Sequence, residues 1–582
     1  MTQARFLGII RIDALAGGCD AAGPWPLVPV DLPLLCEMRH CRIYAGDGQS
    51  VRHQGGMMGV LGTAYRYKDN FPVATEDDLV AFAAHFPEER SEIWGDFVCV
   101  AETEGGISVY RSALGRTPCY YRRVDGWLMF ASDIDLLHMP GEAPMVIDWD
   151  AVSHHLLFPS LRIARTCLEH VRELLGGELL ELSTAGETVS TIWSPWAGQP
   201  WRHRLTDAAE AQDRVRTTTM RIIRRVSEPF RHIIVGVSGG LDSSIVAAAL
   251  SRAGQRTTLV TLVSPDPRGD ERRHARALAS HLGAKLEERV EEVEFVDPLH
   301  SLSGHLPRPL ARSFAQSGDR ILSEIASSRG GDAYFTGAGG DNVFCYLRSA
   351  TPVAELLRRG QVWKAVRCAG DMGVVTGAGT GKALKLGLVR AFGRTTHYRW
   401  PMDGQYLGKR TLEGRHLETH PWMADQPGGL PALCGHVAAI LAIENHLEGT
   451  ARERDCPLVS PLVARPLVEL ALTIPAWMWC RRGRNRAVAR DAFADMLPDT
   501  LINRQSKGSP DGFAAAVFEH NRTRIREFLC DGLLSNAGIL DREAIAAALA
   551  RDEPVKGTGY LRFLAMSDVE AWCRLRTAPA SA

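Results

Sequence analysis

The chain has 582 residues, 45% of them hydrophobic and 23% charged, with a formal net charge of −1. That length suits two to four domains at roughly 100–200 residues each, and the charge balance leaves no overall basic surplus for nucleic acid. No run approaches the ~18 apolar residues of a membrane span, and 13 cysteines without CxxC pairs or zinc spacing suit free thiols in a reducing cytoplasm.

In chain order, "FLGIIRIDALAGGC" imitates a lipoprotein signal ending at Cys19. Arg11 and Asp13 break its apolar run, and Ala16 rather than leucine stands three places before the cysteine. It reads as a first strand. "GDFVCVAE", "GISVYRS", "CYYRRVDGWLMFAS" and "ELLELST" continue a β-rich domain over residues 1–195, with turns at Gly and Asp. "TIWSPWAGQPWRHRLTD" carries three tryptophans and reads as a connector that packs against something. A second domain, 205–582, alternates helices and strands and then becomes mostly helical after about residue 350. Strands alternating with helices imply a doubly wound parallel sheet, with ligands at the carboxyl ends of its strands.

Two loops on that sheet carry the chemistry. "RHIIVGVSGGLDSSIVAAALSRAG", from Arg231 to Gly254, places Ser238–Ser244 between a β-branched strand and an alanine-rich helix. Gly239 and Gly240 let the backbone approach an anion, and Ser238, Ser243 and Ser244 add hydroxyl donors at a helix N-terminus. Asp242 repels a phosphate unless a hard cation such as Mg²⁺ lies between them. "TGAGGD", from Thr336 to Asp341, follows a second strand and again ends on an aspartate. Alone, Asp341 reads equally as a helix cap; facing the first loop, it and Asp242 make a Mg²⁺ pair. A third glycine stretch, "TGAGTGKA" at 376–383, lacks the first Gly and the final Ser/Thr of a Walker loop and reads as a connection between helices.

These motifs resemble the asparagine synthetase B family. SGGLDSS looks like the pyrophosphate loop of its adenylating domain, TGAGGD like its second loop, and "DERRHARALASHLGAK", "CPLVSPLVARPLVELALTIP" and "RAVARDAFADMLPDTLINRQSKG" like its later segments. Residues 95–137 are similar to the family's Ntn glutaminase domain, a β-rich sandwich. The family's nucleophile is a cysteine at position 2. Here position 2 is Thr, and the family's Cys-Gly-Ile aligns with Leu7-Gly8-Ile9. Cys19 and Cys36 lie too far along to substitute. A front domain without its nucleophile releases no ammonia, so the amine must come from the substrate.

The resemblance therefore points to the members that join a carboxylate and an amine of one molecule: β-lactam and carbapenam synthetases and lasso peptide cyclases. Ala338 stands where the β-lactam type has tyrosine, and Arg504 to Gly508 with "PLVSPLVARPLVE" looks more like the lasso cyclases. The resemblance implies ATP and Mg²⁺ as cofactors. Val237, Ser238, Gly239, Gly240, Asp242, Ser243, Ser244, Leu262 and Gly337 would hold the nucleotide, and Asp242 and Asp341 the metal. Lys507 would lie at the α-phosphate, with Glu453 as base for the amine; alone, Lys507 reads as a solvated loop lysine. Arg486 and Arg490 match a basic pair of the family and equally suit a helix surface. The expected partners are a linear precursor peptide, with a leader-binding protein and a leader protease of the same pathway. A β-lactam-type small-molecule amide synthetase and a non-catalytic scaffold are the alternatives.

Overall fold

The computed structural model describes residues 4–15, 25–26, 31–53, 56–67, 72–73, 76–85, 93–103, 105–264, 269–393, 397–413, 418–447, 456–504, 511–550 and 559–577. Among these residues the front part holds twelve strands: β1 Phe6–Arg11, β2 Leu34–Glu37, β3 Cys41–Ala45, β4 Gln49–His53, β5 Gly56–Arg66, β6 Ile93–Thr103, β7 Gly106–Arg111, β8 Tyr120–Val124, β9 Trp127–Ala131, β10 Arg172–Glu173, β11 Glu178–Ser183 and β12 Gly186–Thr191. They form two six-stranded sheets in the orders β10-β8-β9-β1-β3-β2 and β12-β11-β7-β6-β5-β4. Alternating side chains explain their packing. Phe6, Ile10 and Ile43 from the first sheet meet Leu61, Val98 and Val109 from the second in one buried cluster.

The later part is built on five parallel strands: β13 Ile233–Gly236, β14 Thr257–Val263, β15 Lys285–Val290, β16 Ala333–Phe335 and β17 Leu458–Val459. Their order is β15-β14-β13-β16-β17. The chain winds outward from β13 through β14 to β15, then restarts on the other side of β13 with β16 and β17. The strand order thus reverses between β13 and β16, and a crevice opens at their carboxyl ends. The inner strands are mostly apolar and β-branched, with Thr258 and Thr261 the buried polar residues of β14, because helices cover both faces of such a sheet. The alanine-rich helix Leu241–Arg252 is buried from Leu241 to Leu250. Beyond residue 350 the described elements are almost all helices.

The tryptophan-rich connector ties the two parts together. The indole of Trp193 donates to Glu469 at 2.7 Å and that of Trp196 to the Trp422 carbonyl at 2.8 Å. The stretch "TGAGTGKA" is a helix end, a three-residue turn and a helix start, with Gly377 in the left-handed conformation as one cap and Gly379 as the other.

Candidate active site

The first turn leaves β13 with Val237, whose N–H still donates to Val260 at 2.8 Å. Gly239 then takes φ +61°, and a Cβ on it would lie 2.4 Å from the Cβ of His274, so conformation and space both demand glycine. Gly240 caps the 12-residue helix Leu241–Arg252, whose N-terminal amides and dipole favour an anion. The second turn leaves β16 and lies directly on the start of that helix. A Cβ on Gly337 would sit 2.3 Å from the backbone nitrogen of Ser243, and one on Gly340 would sit 2.4 Å from Cγ of Asp242. These glycines allow the two turns to touch. As a result, Asp242 and Asp341 converge.

Their convergence is marked by Arg486. One of its guanidinium nitrogens donates to Asp242 Oδ2 at 2.7 Å and also to Asp341. Arg486 precedes the helix Ala487–Ala492 with φ +51°. Burial opposes its charge, and the two aspartates outweigh that, raising its pKa. Arg490 is also buried and donates to the Ile502 carbonyl at 2.6 Å; burial and then the charge of Arg486 lower its pKa to about 10. Both arginines are interior groups, and the reading of them as surface charges is corrected.

A cavity of about 640 Å³ opens over the two turns, within the ~300–1,000 Å³ of small-molecule sites. Val237, Ser238, Gly240, Asp242, Ser243, Leu262, Gly337 and Asp341 all line it. Ser244 is fully buried and donates from Oγ to the Gly240 carbonyl at 2.8 Å, so its hydroxyl shapes the turn. Gly239 offers its carbonyl to Arg504 at 2.8 Å. The small-residue cradle and helix N-terminus fit a polyphosphate, and the paired carboxylates, bridged here by Arg486, carry the oxygen donors that Mg²⁺ takes. Among the described residues no three His, Cys, Asp or Glu side chains are placed to hold a metal alone. A cation here would complete its shell with phosphate oxygens and water. Lys507 and Glu453 lie outside the described residues.

Three further groups take roles at the site that the sequence does not state. Arg504 pairs with the buried Glu271, 233 residues away in sequence, while holding Gly239. Glu291, just past β15, lines the cavity near Leu262 and Gly318; burial pushes its carboxyl up to about 7. His446 lines the same cavity, its pKa lowered by burial and by Arg312. Glu291 and His446 become visible only when the sheet assembles.

In the front part, Leu7 is a fully buried residue of β1. A Cβ on Gly8 would fall 1.9 Å from the ring of Phe130. Cys36 is buried in β2, and burial, then the charge of Glu102, raises its thiol to about 11, far from a reactive thiolate. Thr2 and Cys19 lie outside the described residues.

Comparison with known families decides what this arrangement belongs to. The family model described as asparagine synthase matches residues 224–425 and 453–574, more than half of the chain. The chain belongs to the asparagine synthase family. It is accordingly an ATP-dependent ligase that forms amide bonds. A glutamine amidotransferase domain model matches residues 79–193. No curated protein matches. Among solved structures, the allosteric regulatory enzyme of purine biosynthesis is similar at 10% identity and TM-score 0.21, covering 49% of this chain and 74% of its own. Glutamine phosphoribosylpyrophosphate amidotransferase from B. subtilis, complexed with ADP and GMP, is similar at 10% identity and TM-score 0.20, covering 58% of this chain and 84% of its own.

Proposed function

We propose that this member of the asparagine synthase family closes a macrolactam in a ribosomally made lasso precursor peptide. A side-chain carboxylate of the linear peptide attacks the α-phosphorus of ATP, giving an acyl-adenylate and releasing pyrophosphate. The peptide's own N-terminal amine then attacks the acyl carbon. An amide forms, AMP leaves, and the amine's proton passes to a base. Ser238, Gly240 and Ser243 bind the pyrophosphate portion, while Val237, Leu262 and Gly337 border the adenosine. Asp242 and Asp341 would hold Mg²⁺, whose charge would offset that of the departing pyrophosphate. Lys507 faces the α-phosphate and steadies the developing oxyanion.

The observation that carries this reading is Leu7. An aliphatic side chain sealed in the core, at the position matching the family's nucleophile, leaves the front part no means of releasing ammonia. The amine must then arrive with the substrate. Ala338 supports a bulky substrate, because it lines the cavity with a methyl group where the β-lactam type carries a phenol.

The deciding experiment incubates the purified chain with ATP, Mg²⁺ and a leaderless linear core peptide of lasso type that has a free N-terminal amine and an internal Asp or Glu. Loss of one water from the core peptide, with AMP and pyrophosphate formed in equal amounts, is expected. Pyrophosphate release driven by a free amino acid and not by the peptide would make the enzyme a small-molecule amide synthetase. ADP and phosphate as products would refute adenylation.

A further inference from the structure

Helices Val362–Thr376 and Thr380–Phe392 are joined by three residues and pack on each other and on the helix Thr351–Arg358. So short a connection makes them antiparallel, and the start of the first lies beside the end of the second. Their inward stripes are apolar and mostly small: Ala365, Ala369 and Met372 on one, Ala383, Gly387 and Ala391 on the other, all buried. Their outward sides also carry large apolar residues. Trp363 is 87% exposed, Phe392 75% and Val389 61%, and the antiparallel arrangement puts all three at the open end of the hairpin. Large side chains left in water on a folded surface mark a docking site.

The charge around them is one-sided. Lys364, Arg367, Lys382, Lys385 and Arg390 stand against the single acid Asp371, whose carboxylate accepts from the Gly483 N–H at 2.7 Å. None of these five cations has an ion pair among the described residues. The chain as a whole is at −1, so this basic surplus belongs to the hairpin. Protein interfaces deplete lysine, yet three of the five cations are lysines. Lysines beside exposed Trp, Phe and Val on amphipathic helices are instead the composition of a helix lying in an anionic bilayer surface.

We propose that the 362–392 hairpin docks the protein on an anionic phospholipid surface, with Trp363, Val389 and Phe392 entering the headgroup region and the lysines pairing with lipid phosphates. Docking of this kind needs no spanning segment, and no helix among the described residues is long and apolar enough to cross a membrane.

The test is flotation of the full chain with vesicles of phosphatidylcholine and phosphatidylglycerol in equal parts, and with phosphatidylcholine alone. Binding to the mixed vesicles and not to the neutral ones is expected, with binding lost at high salt. Lys382→Gln with Lys385→Gln should lower partitioning by about tenfold or more. Trp363→Ser with Phe392→Ser should lower it comparably, with unchanged melting temperature in both variants because every replaced side chain is exposed. Equal binding to neutral vesicles, or variants that float like the parent, would overturn the proposal. So would an absence of flotation accompanied by retention on immobilised polyglutamate, or by a dimer that Trp363→Ser dissociates. Those outcomes assign the hairpin to an acidic protein or to a second copy of the chain.

Discussion

Gly337→Ala is the sharpest test of how the two turns make one site. The new methyl group would lie 2.3 Å from the Ser243 nitrogen and 2.7 Å from the Asp242 carbonyl carbon, against the 3.4 Å or more of an ordinary contact. Both clashing atoms are backbone, so relief requires the turns to part by about 1 Å. Overpacking of this kind typically costs about 1–3 kcal/mol of stability. A displacement of ~1 Å at a positioning group costs on the order of 10² in rate. The displaced atoms here are the helix start proposed to hold pyrophosphate and the carboxylate beside it. Gly381→Ala provides the control, since a Cβ there meets nothing within 4 Å and Gly381 lies inside a helix, where alanine stabilises by about 0.4–1 kcal/mol. Pyrophosphate release and thermal melting are measured for both variants. Gly337→Ala should melt lower and lose about a hundredfold in turnover, with Gly381→Ala unchanged or slightly more stable. A Gly337→Ala enzyme with parental turnover would show that the contact between the turns does not organise catalysis.

The two aspartates should differ although both lose turnover as Asn. Asp242 is buried against Arg486 and Asp341 is partly exposed, so Asp242→Asn should also cost about 3–5 kcal/mol in denaturant unfolding and Asp341→Asn much less. Burial pushes the Glu291 carboxyl up to about 7 from its ordinary value near 4.5; the folded state binds its proton more tightly, so stability falls as pH rises from about 4.5 to 7, by about 3 kcal/mol. Glu291→Gln should therefore melt above the parent at pH 8 and level with it at pH 4.5, and a constant difference across pH would contradict the assignment. Lys507→Ala should keep ATP binding and melting temperature while losing on the order of 10²–10³ in turnover; near-parental cyclisation would remove it from the site. Glutamine should yield no glutamate, and added ammonia should not change product formation, as followed by mass spectrometry.

The turns were legible because their chemistry is local. Glycines, hydroxyls and an aspartate between a β-branched run and an alanine run state both the backbone conformation and the ligand's charge. The order of the five parallel strands was not legible, since pairing of β13 with β16 spans about a hundred intervening residues and leaves no periodicity. The same reason hid Arg486. Its partner Asp242 is 244 residues away, and a basic residue at a helix start looks alike whether it faces water or two carboxylates. Glu271 and Arg504 were visible as members of family-like segments, yet nothing in either segment says that one clamps the other beneath Gly239.

The front part is joined to the synthetase through one buried carboxylate at their boundary. Glu173 in β10 is fully buried and accepts hydrogen bonds from Arg111 of β7, from Arg162, and from Arg308 of the later part. Burial alone would raise its pKa; the three guanidinium groups overcome that and hold it well below the usual carboxylate range. The stability this contributes is present above the unfolded pKa near 4.5 and is lost as pH falls below it. Arg162 also donates to the Glu444 carbonyl at 3.1 Å, and Arg465 donates to the Ile93 carbonyl at 3.0 Å. Glu444 and His446 belong to the stretch that lines the outer cavity wall or adjoins it. Removing Glu173 would leave three guanidinium groups buried without their counter-charge, the arrangement that costs about 3–5 kcal/mol, and the strain would fall on the segment carrying His446. The front part therefore bears on the ligase site, because the segment carrying His446 is anchored in it through Arg162.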